Sequence, residues 1–155
     1  MASEIKVDTI VNAGGDNDTG IDLATNDQIL LKVANATKLT MNSTGQTTIV
    51  GEGGTTTTSV QQGLCKSWIQ FNGSSFSTQD SLNRATLTDN GTGNYTLGFT
   101  NNMNNDDFSV TTGTKTHEEM VEALATGTVQ ILTMNSSGTN VDDTINCITV
   151  HGDLA

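Results

Sequence analysis

Four side chains of this 155-residue sequence could ligate a soft metal: Cys65, His117, Cys147 and His151. Cys147 and His151 stand four apart in a segment that reads as a strand. They would face one side about 13 Å apart at ~3.3 Å per residue. Zinc bonds are only about 2.0–2.3 Å long, so one ion cannot join that pair. No Cys-x-x-Cys or His-x-x-x-His spacing occurs. The thiols therefore read as small buried apolar groups, with a Cys65–Cys147 disulfide as the alternative if the strands that carry them pair.

The hard-cation candidates are oxygen-rich stretches. Asp16-Asn17-Asp18-Thr19-Gly20-Ile21-Asp22 alternates oxygen ligands around a glycine like the front of a calcium loop, but no Glu follows at the twelfth position. Asn104-Asn105-Asp106-Asp107 and Asp142-Asp143 read as Asx turns. A cation on a threefold axis would need only one or two oxygens from each chain. Neither histidine sits in a nucleophile elbow or a recognisable triad motif. Paired carboxylates for glycoside cleavage need a separation of about 5–9.5 Å that only the fold sets. The expectation is no enzyme and no cofactor. Trp68, Phe71, Tyr95 and Phe99 offer a sugar-stacking platform or a core. Their strand positions favour the core, with Trp68 and Phe99 anchoring opposite sheets.

The elements that would carry these groups are unusually polar. Thr, Asn and Ser make up more than a third of the chain, with 16 Gly and no Pro. Leu, Ile, Val and Phe lie just above the roughly 20% level below which disorder is the default. Six cations against 17 anions leave no basic stripe for nucleic acid, since a typical site neutralises about 6–10 phosphates. The same acidity disfavours an anionic membrane surface, and no apolar run is long enough to span a bilayer. The first residues lack the basic and apolar stretches of a secretory signal, as expected of a protein made in a cytoplasm.

All six aromatics lie between Trp68 and Phe108. The sequence Gly51-Glu52-Gly53-Gly54 followed by Thr55-Thr56-Thr57-Thr58 reads as a turn and an extended linker. It divides the chain into a stalk, residues 1–58, and a head, residues 59–155. The stalk shows period-two apolar positions at Ile5-Val7, Ile21-Leu23, Ile29-Leu31-Val33, Leu39-Met41 and Thr47-Ile49, separated by Asn/Asp/Gly turns. Such short hairpins are marginal alone in water. Either the head covers them or identical strands pack around a threefold axis. Small β-branched residues suit the second arrangement, a narrow trimeric β-prism with Ile29, Leu31, Val33, Leu39, Met41 and Ile49 as its contacts.

The head reads as an antiparallel β-sandwich, jelly-roll-like, of about seven strands: 64–71, 76–82, 85–88, 94–99, 108–112, 128–134 and 144–151. Asn72-Gly73 and Asp89-Asn90-Gly91 supply left-handed turn residues. The capping-box spacing of Thr116 and Glu119, with Met120 and Leu124 on one face, predicts one short helix over 116–124. The fold class is all-β with at most that helix. Without proline, exposed edge strands lack a usual blocker, so oligomer contacts are expected to cover them.

Two stretches carry a family resemblance. Lys66-Ser67-Trp68-Ile69-Gln70-Phe71-Asn72-Gly73 leads to Asp80-Ser81-Leu82-Asn83. Thr88-Asp89-Asn90-Gly91-Thr92-Gly93-Asn94-Tyr95-Thr96-Leu97-Gly98-Phe99-Thr100 leads to Met103 and Phe108. Together they resemble a globular domain at the C-terminal end of fibre-like virion proteins of marine tailed bacteriophages. The last strand, through Ile145-Asn146-Cys147-Ile148-Thr149-Val150-His151-Gly152, fits that domain. The opening Ser3-Glu4-Ile5-Lys6-Val7-Asp8-Thr9-Ile10 is similar to the start of such proteins, and residues 21–50 resemble the hairpin units before such heads. Residues 115–127 depart from the pattern, where the resemblance implies strand.

The resemblance implies a homotrimeric structural appendage or capsid decoration at the virion surface, held to other virion proteins through its N-terminal segment. It brings no catalytic set. A receptor-recognition adhesin would instead bind host-surface glycan through head loops at 73–75, 101–107 and 136–140, whose polar tips suit sugars. A capsid cement protein is the third reading.

Overall fold

The computed structural model describes residues 7–11, 19–51 and 53–154. The chain forms two compact units, Met1–Gln61 and Gln62–Ala155. No helix among the described residues is long and apolar enough to cross a membrane.

The first unit is one antiparallel meander of six short strands: β1 Thr9–Val11, β2 Gly20–Asp22, β3 Ile29–Val33, β4 Ala36–Met41, β5 Thr47–Val50 and β6 Thr57–Ser59. Its turns are polar and local. Asp27, Ala34 and Asn35 take positive φ, and Gly45 and Gly54 do the same at the next two corners. The Asn42 side chain receives the Thr44 and Gln46 amides, closing the β4–β5 corner. The expected linker at Thr55–Thr58 is in part a strand. Gly51 N–H bonds to Thr56 O at 2.8 Å, and β6 then pairs with β5. A one-turn helix, α1 Val60–Gly63, follows.

The second unit is a sandwich of two four-stranded antiparallel sheets. Its strands are β7 Cys65–Asn72, β8 Ser77–Leu82, β9 Arg84–Gly91, β10 Asn94–Phe99, β11 Ser109–Thr114, β12 Glu118–Ala125, β13 Thr128–Met134 and β14 Asn146–His151. The sheet orders are β11-β14-β7-β8 and β12-β13-β10-β9. Three hairpins keep successive strands in one sheet. A jelly roll instead winds the strands into two Greek keys, so the jelly-roll reading is replaced by a hairpin-rich sandwich. The first and last strands, β7 and β14, lie side by side at its centre.

The helix expected over 116–124 is β12. Its residues are good helix formers, but Glu119, Val121 and Leu124 turn inward and the strand pairs with β13 across a bulge between Val121 and Ala123. Two of these, Val121 and Leu124, pack on the core. Tertiary burial here outweighs a local preference worth a few tenths of a kcal/mol per residue.

Between the sheets, Ile69, Phe71, Tyr95, Leu97, Val129, Ile131, Ile148 and Val150 are fully buried. Phe99 and Phe108 close one end, edge to face with ring centroids 5.9 Å apart. Each such side chain contributes roughly 1.5–3 kcal/mol when removed from water. The head thus closes a core of its own.

Candidate functional site

In the six-stranded sheet, cross-strand register builds a continuous apolar row. Ile10 faces Ile21, Ile21 faces Leu31, Leu31 faces Leu39, Leu39 faces Ile49, and Ile49 faces Thr58. Directly opposed residues share a sheet face. Ile29 and Met41 form a second opposed pair, with Val33 two residues beyond Leu31 on the same side. All six sequence candidates, Ile29, Leu31, Val33, Leu39, Met41 and Ile49, fall on this face. Five of them are exposed in the single chain, and Leu39 at the centre is half-buried. Even Leu31, inside the row, is 39% exposed.

Two members escaped the sequence reading of contacts. Ile10 and Ile21 extend the row to the edge strand, and Ile10 is 53% exposed. The apolar rhythm of Ile5 and Val7 points to odd positions. The register of β1 puts even-numbered Ile10 on the apolar face instead. Residues 5 and 6 lie outside those described.

The opposite face is mixed, with Leu30 opposed to Asp22 and Thr40, and Val50 opposed to Thr57. It carries the Asp22–Lys32 ion pair together with Thr40, Thr48 and Ser59. The hydrogen bond from Lys32, helped by the Ala24 amide, lowers the Asp22 pKa. That ion pair lies on the side away from the aliphatic row.

The head's functional groups gather at one end. There the β7–β8 loop (73–76), the β9–β10 turn, the β11–β12 loop (115–117) and the β13–β14 loop (135–145) meet, at the end opposite the start of β7. Asp142 and Asp143 organise it. Asp142 Oδ1 accepts the Tyr95 hydroxyl at 2.6 Å and the Gly93 amide at 2.7 Å. Burial and then this carboxylate push the Tyr95 phenol far above its ordinary pKa, so it stays a donor.

Asp143 is buried, and its Oδ2 accepts the Thr116 amide, the Thr116 hydroxyl and His117 Nδ1 at 2.9–3.0 Å. Burial alone would raise its pKa. The Thr116 amide, His117, the Thr116 hydroxyl and the Thr144 amide outweigh that and hold the carboxyl well below the usual range. The Asp142-Asp143 pair is therefore an internal tie between three loops, not a simple Asx turn. No spacing signal exposes this, because the donors lie 26 to 49 residues away.

Glu119 lies inward at the edge where β11 and β12 meet. Neither carboxyl oxygen makes a well-formed hydrogen bond, though the Gly113 amide lies near enough to favour the charged form. Burial raises its pKa to about 8, the Gly113 amide opposing and the Asp143 charge adding to the rise.

The Asn72-Gly73 corner differs from expectation. The left-handed residue of this loop is Phe76, at φ 46°, rather than Asn72 or Gly73. Gly73 is needed for room: a Cβ there would stand 2.3 Å from Tyr95 Oη and 3.0 Å from Asp143 O. Gly73→Ala is expected to cost about 1–3 kcal/mol by overpacking. The hydroxyl is the nearest of three obstacles, with Tyr95 Cζ at 2.9 Å and Asp143 O remaining. Tyr95→Phe should therefore recover part of that loss, a coupling above ~0.5 kcal/mol in a double-mutant cycle by urea unfolding. Strict additivity would refute the contact.

Other candidates separate. Trp68 faces outward on β7, opposed to Thr149 and to exposed Leu82. The inward register belongs to Ser67, Ile69 and Phe71, so Trp68 does not anchor the core, whereas Phe99 does. Cys147 opposes Gln70 and Cys65 opposes His151. That register keeps the two half-buried thiols free and too far apart for a disulfide, which needs Cα atoms within about 7 Å. His117 lies in a loop, not a helix. Among the described residues no cluster of three His, Cys, Asp or Glu could hold a metal. Of the calcium-like stretch, residues 16–18 lie outside those described, and 20–22 form β2, where the Asp22 carboxylate pairs with Lys32. The 101–107 loop lies at the other end of the head from 73–75 and 136–140, and Asp107 there receives support from Asn105 Oδ1.

Comparison with known protein families, characterised proteins and solved structures finds no match to this chain.

Proposed function

We propose that this chain is a structural protein of a tailed-bacteriophage virion, a homotrimeric fibre or decoration appendage attached through its N-terminal segment at the particle surface. One observation carries the oligomeric part: the aliphatic row across the N-terminal sheet is uncovered in the single chain. A face of this kind resembles a core cut open, and its neutrality lets strongly acidic copies approach on uncharged surfaces. Three copies would bring three such faces together as a prism, while the head closes its own core. The virion part rests on the resemblance of residues 66–100 and 145–152.

Native mass spectrometry or sedimentation of the full chain should give three chain masses at micromolar concentration. A stable monomer would overturn the proposal. Loss of capsid thermal stability on deleting the protein would favour the cement role over the fibre role.

A second reading, receptor recognition by binding host-surface glycan, is favoured by Phe76. This aromatic side chain is 41% exposed and sits on the loop end of the head, away from the start of β7.

A further inference from the structure

Resting on the receptor-recognition reading, we propose that the 73–76 loop end of the head is a saccharide subsite in which Phe76 is the stacking platform for a neutral pyranose. Four of the six aromatics are buried in the core and Trp68 is half-buried. Phe76 alone combines high exposure with a fixed orientation. Its ring lies nearly parallel to Tyr95, at 14° and 6.4 Å between centroids. Tyr95 is itself held by Asp142 and by the edge of Phe71 at 4.9 Å. Packing near Tyr95 thus fixes the tilt of the Phe76 ring, while 41% of the residue stays exposed.

The backbone of Phe76 argues in the same direction. A bulky residue at φ 46° is strained, and such positions favour Gly or Asn. Glycine would relieve that strain but lose the ring beside Tyr95.

The surroundings select the ligand class. The negative π-face attracts the positively polarised C–H groups on one face of a pyranose. Beside it stand hydroxyls able to meet sugar hydroxyls: Ser75 and Ser77, 2.9 Å apart, and Ser74. The carboxylate at the base of the loop, Asp142, and the chain's net charge of −11 disfavour an acidic sugar.

The test is saturation-transfer NMR on the full chain with methyl glycosides of galactose, glucose, mannose and N-acetylglucosamine, and the methyl glycoside of sialic acid as the anionic arm. Wild type should bind a neutral glycoside. Phe76→Trp should retain binding. Phe76→Gly, which relieves the backbone strain, should melt within a few degrees of wild type yet lose affinity about tenfold or more. Binding that survives F76G but is lost in Trp68→Ala would overturn the Phe76 assignment and leave receptor recognition standing. Binding of the sialoside alone would overturn the neutral-sugar assignment. No binding of any glycoside would overturn this subsite and the receptor reading together.

Discussion

Leu31→Asp is expected to break the proposed trimer into single chains while leaving the head folded. Leu31 is the middle of the aliphatic row, opposed to Ile21 on one strand and Leu39 on the next. In a closed trimer, three symmetry-related copies of that side chain would lie in an apolar interior. Each aspartate would then be an unpaired buried carboxylate, at several kcal/mol apiece, and the lost leucine burial adds about 2–5 kcal/mol per copy. A trimer at micromolar concentration has no reserve for a combined loss on that scale. Leu31→Ile, similar in volume, should remain trimeric.

Sedimentation velocity reads the oligomeric state. Near-ultraviolet circular dichroism reads the head alone, because all six aromatics lie there. An L31D protein that sediments like wild type would show that this face is not the contact. Loss of the aromatic signal would show instead that the head depends on the sheet.

The second large effect is on stability against pH. Glu119 has an ordinary pKa of 4.5 and a folded-state value of about 8. Between those values the unfolded chain has released its proton and the folded chain keeps it. Folding therefore takes up a proton, and stability falls as pH rises from about 4.5 to about 8, by up to ~1.4 kcal/mol per pH unit. The accumulated cost near pH 7 is on the order of 3 kcal/mol. Below pH 4.5 it vanishes.

Glu119→Gln removes the titration and keeps the shape. It should raise stability at pH 8 by about 2–4 kcal/mol and change little at pH 4. Asp143 acts at the other end of the scale. Its pKa is depressed, so its stabilisation is present above the ordinary value of 3.8 and is lost as pH falls below it. Wild type should therefore be most stable near pH 4–5, and E119Q should hold a plateau toward neutral pH. Melting temperatures from pH 3 to 9 test both. A wild-type decline between pH 5 and 8 that persists unchanged in E119Q would place the responsible group elsewhere.

Much of this architecture could be read in the residues themselves. Period-two apolar spacing located most strands of both units, because alternation is a local consequence of the pleat. The Asn, Asp and Gly clusters marked the corners, because left-handed backbone suits few residues. Clustering of every aromatic beyond residue 67 showed which half could close a core. The six apolar candidates of the first unit share one face, because their spacing already fixed their parity.

Tertiary structure decided what depends on a partner strand. Glu118–Ala125 is helical by propensity and a strand by burial, since β13 offers it a ladder and the core takes Val121 and Leu124. Trp68 and Ile69 are adjacent, so one had to face out. Pairing with β14 and β8 turned Trp68 outward. Ile10 joined the apolar row through register with Ile21, against the phase of its own neighbours. The ties at Asp142 and Asp143, the buried Glu119 and the ring of Phe76 above Tyr95 join residues 19 to 49 positions apart, apart from the local contact of Glu119 with its own edge. Alternation and turn chemistry are local and survive in a one-dimensional sequence. Facing, register and desolvation are properties of the closed fold, so the candidate sites became legible only there.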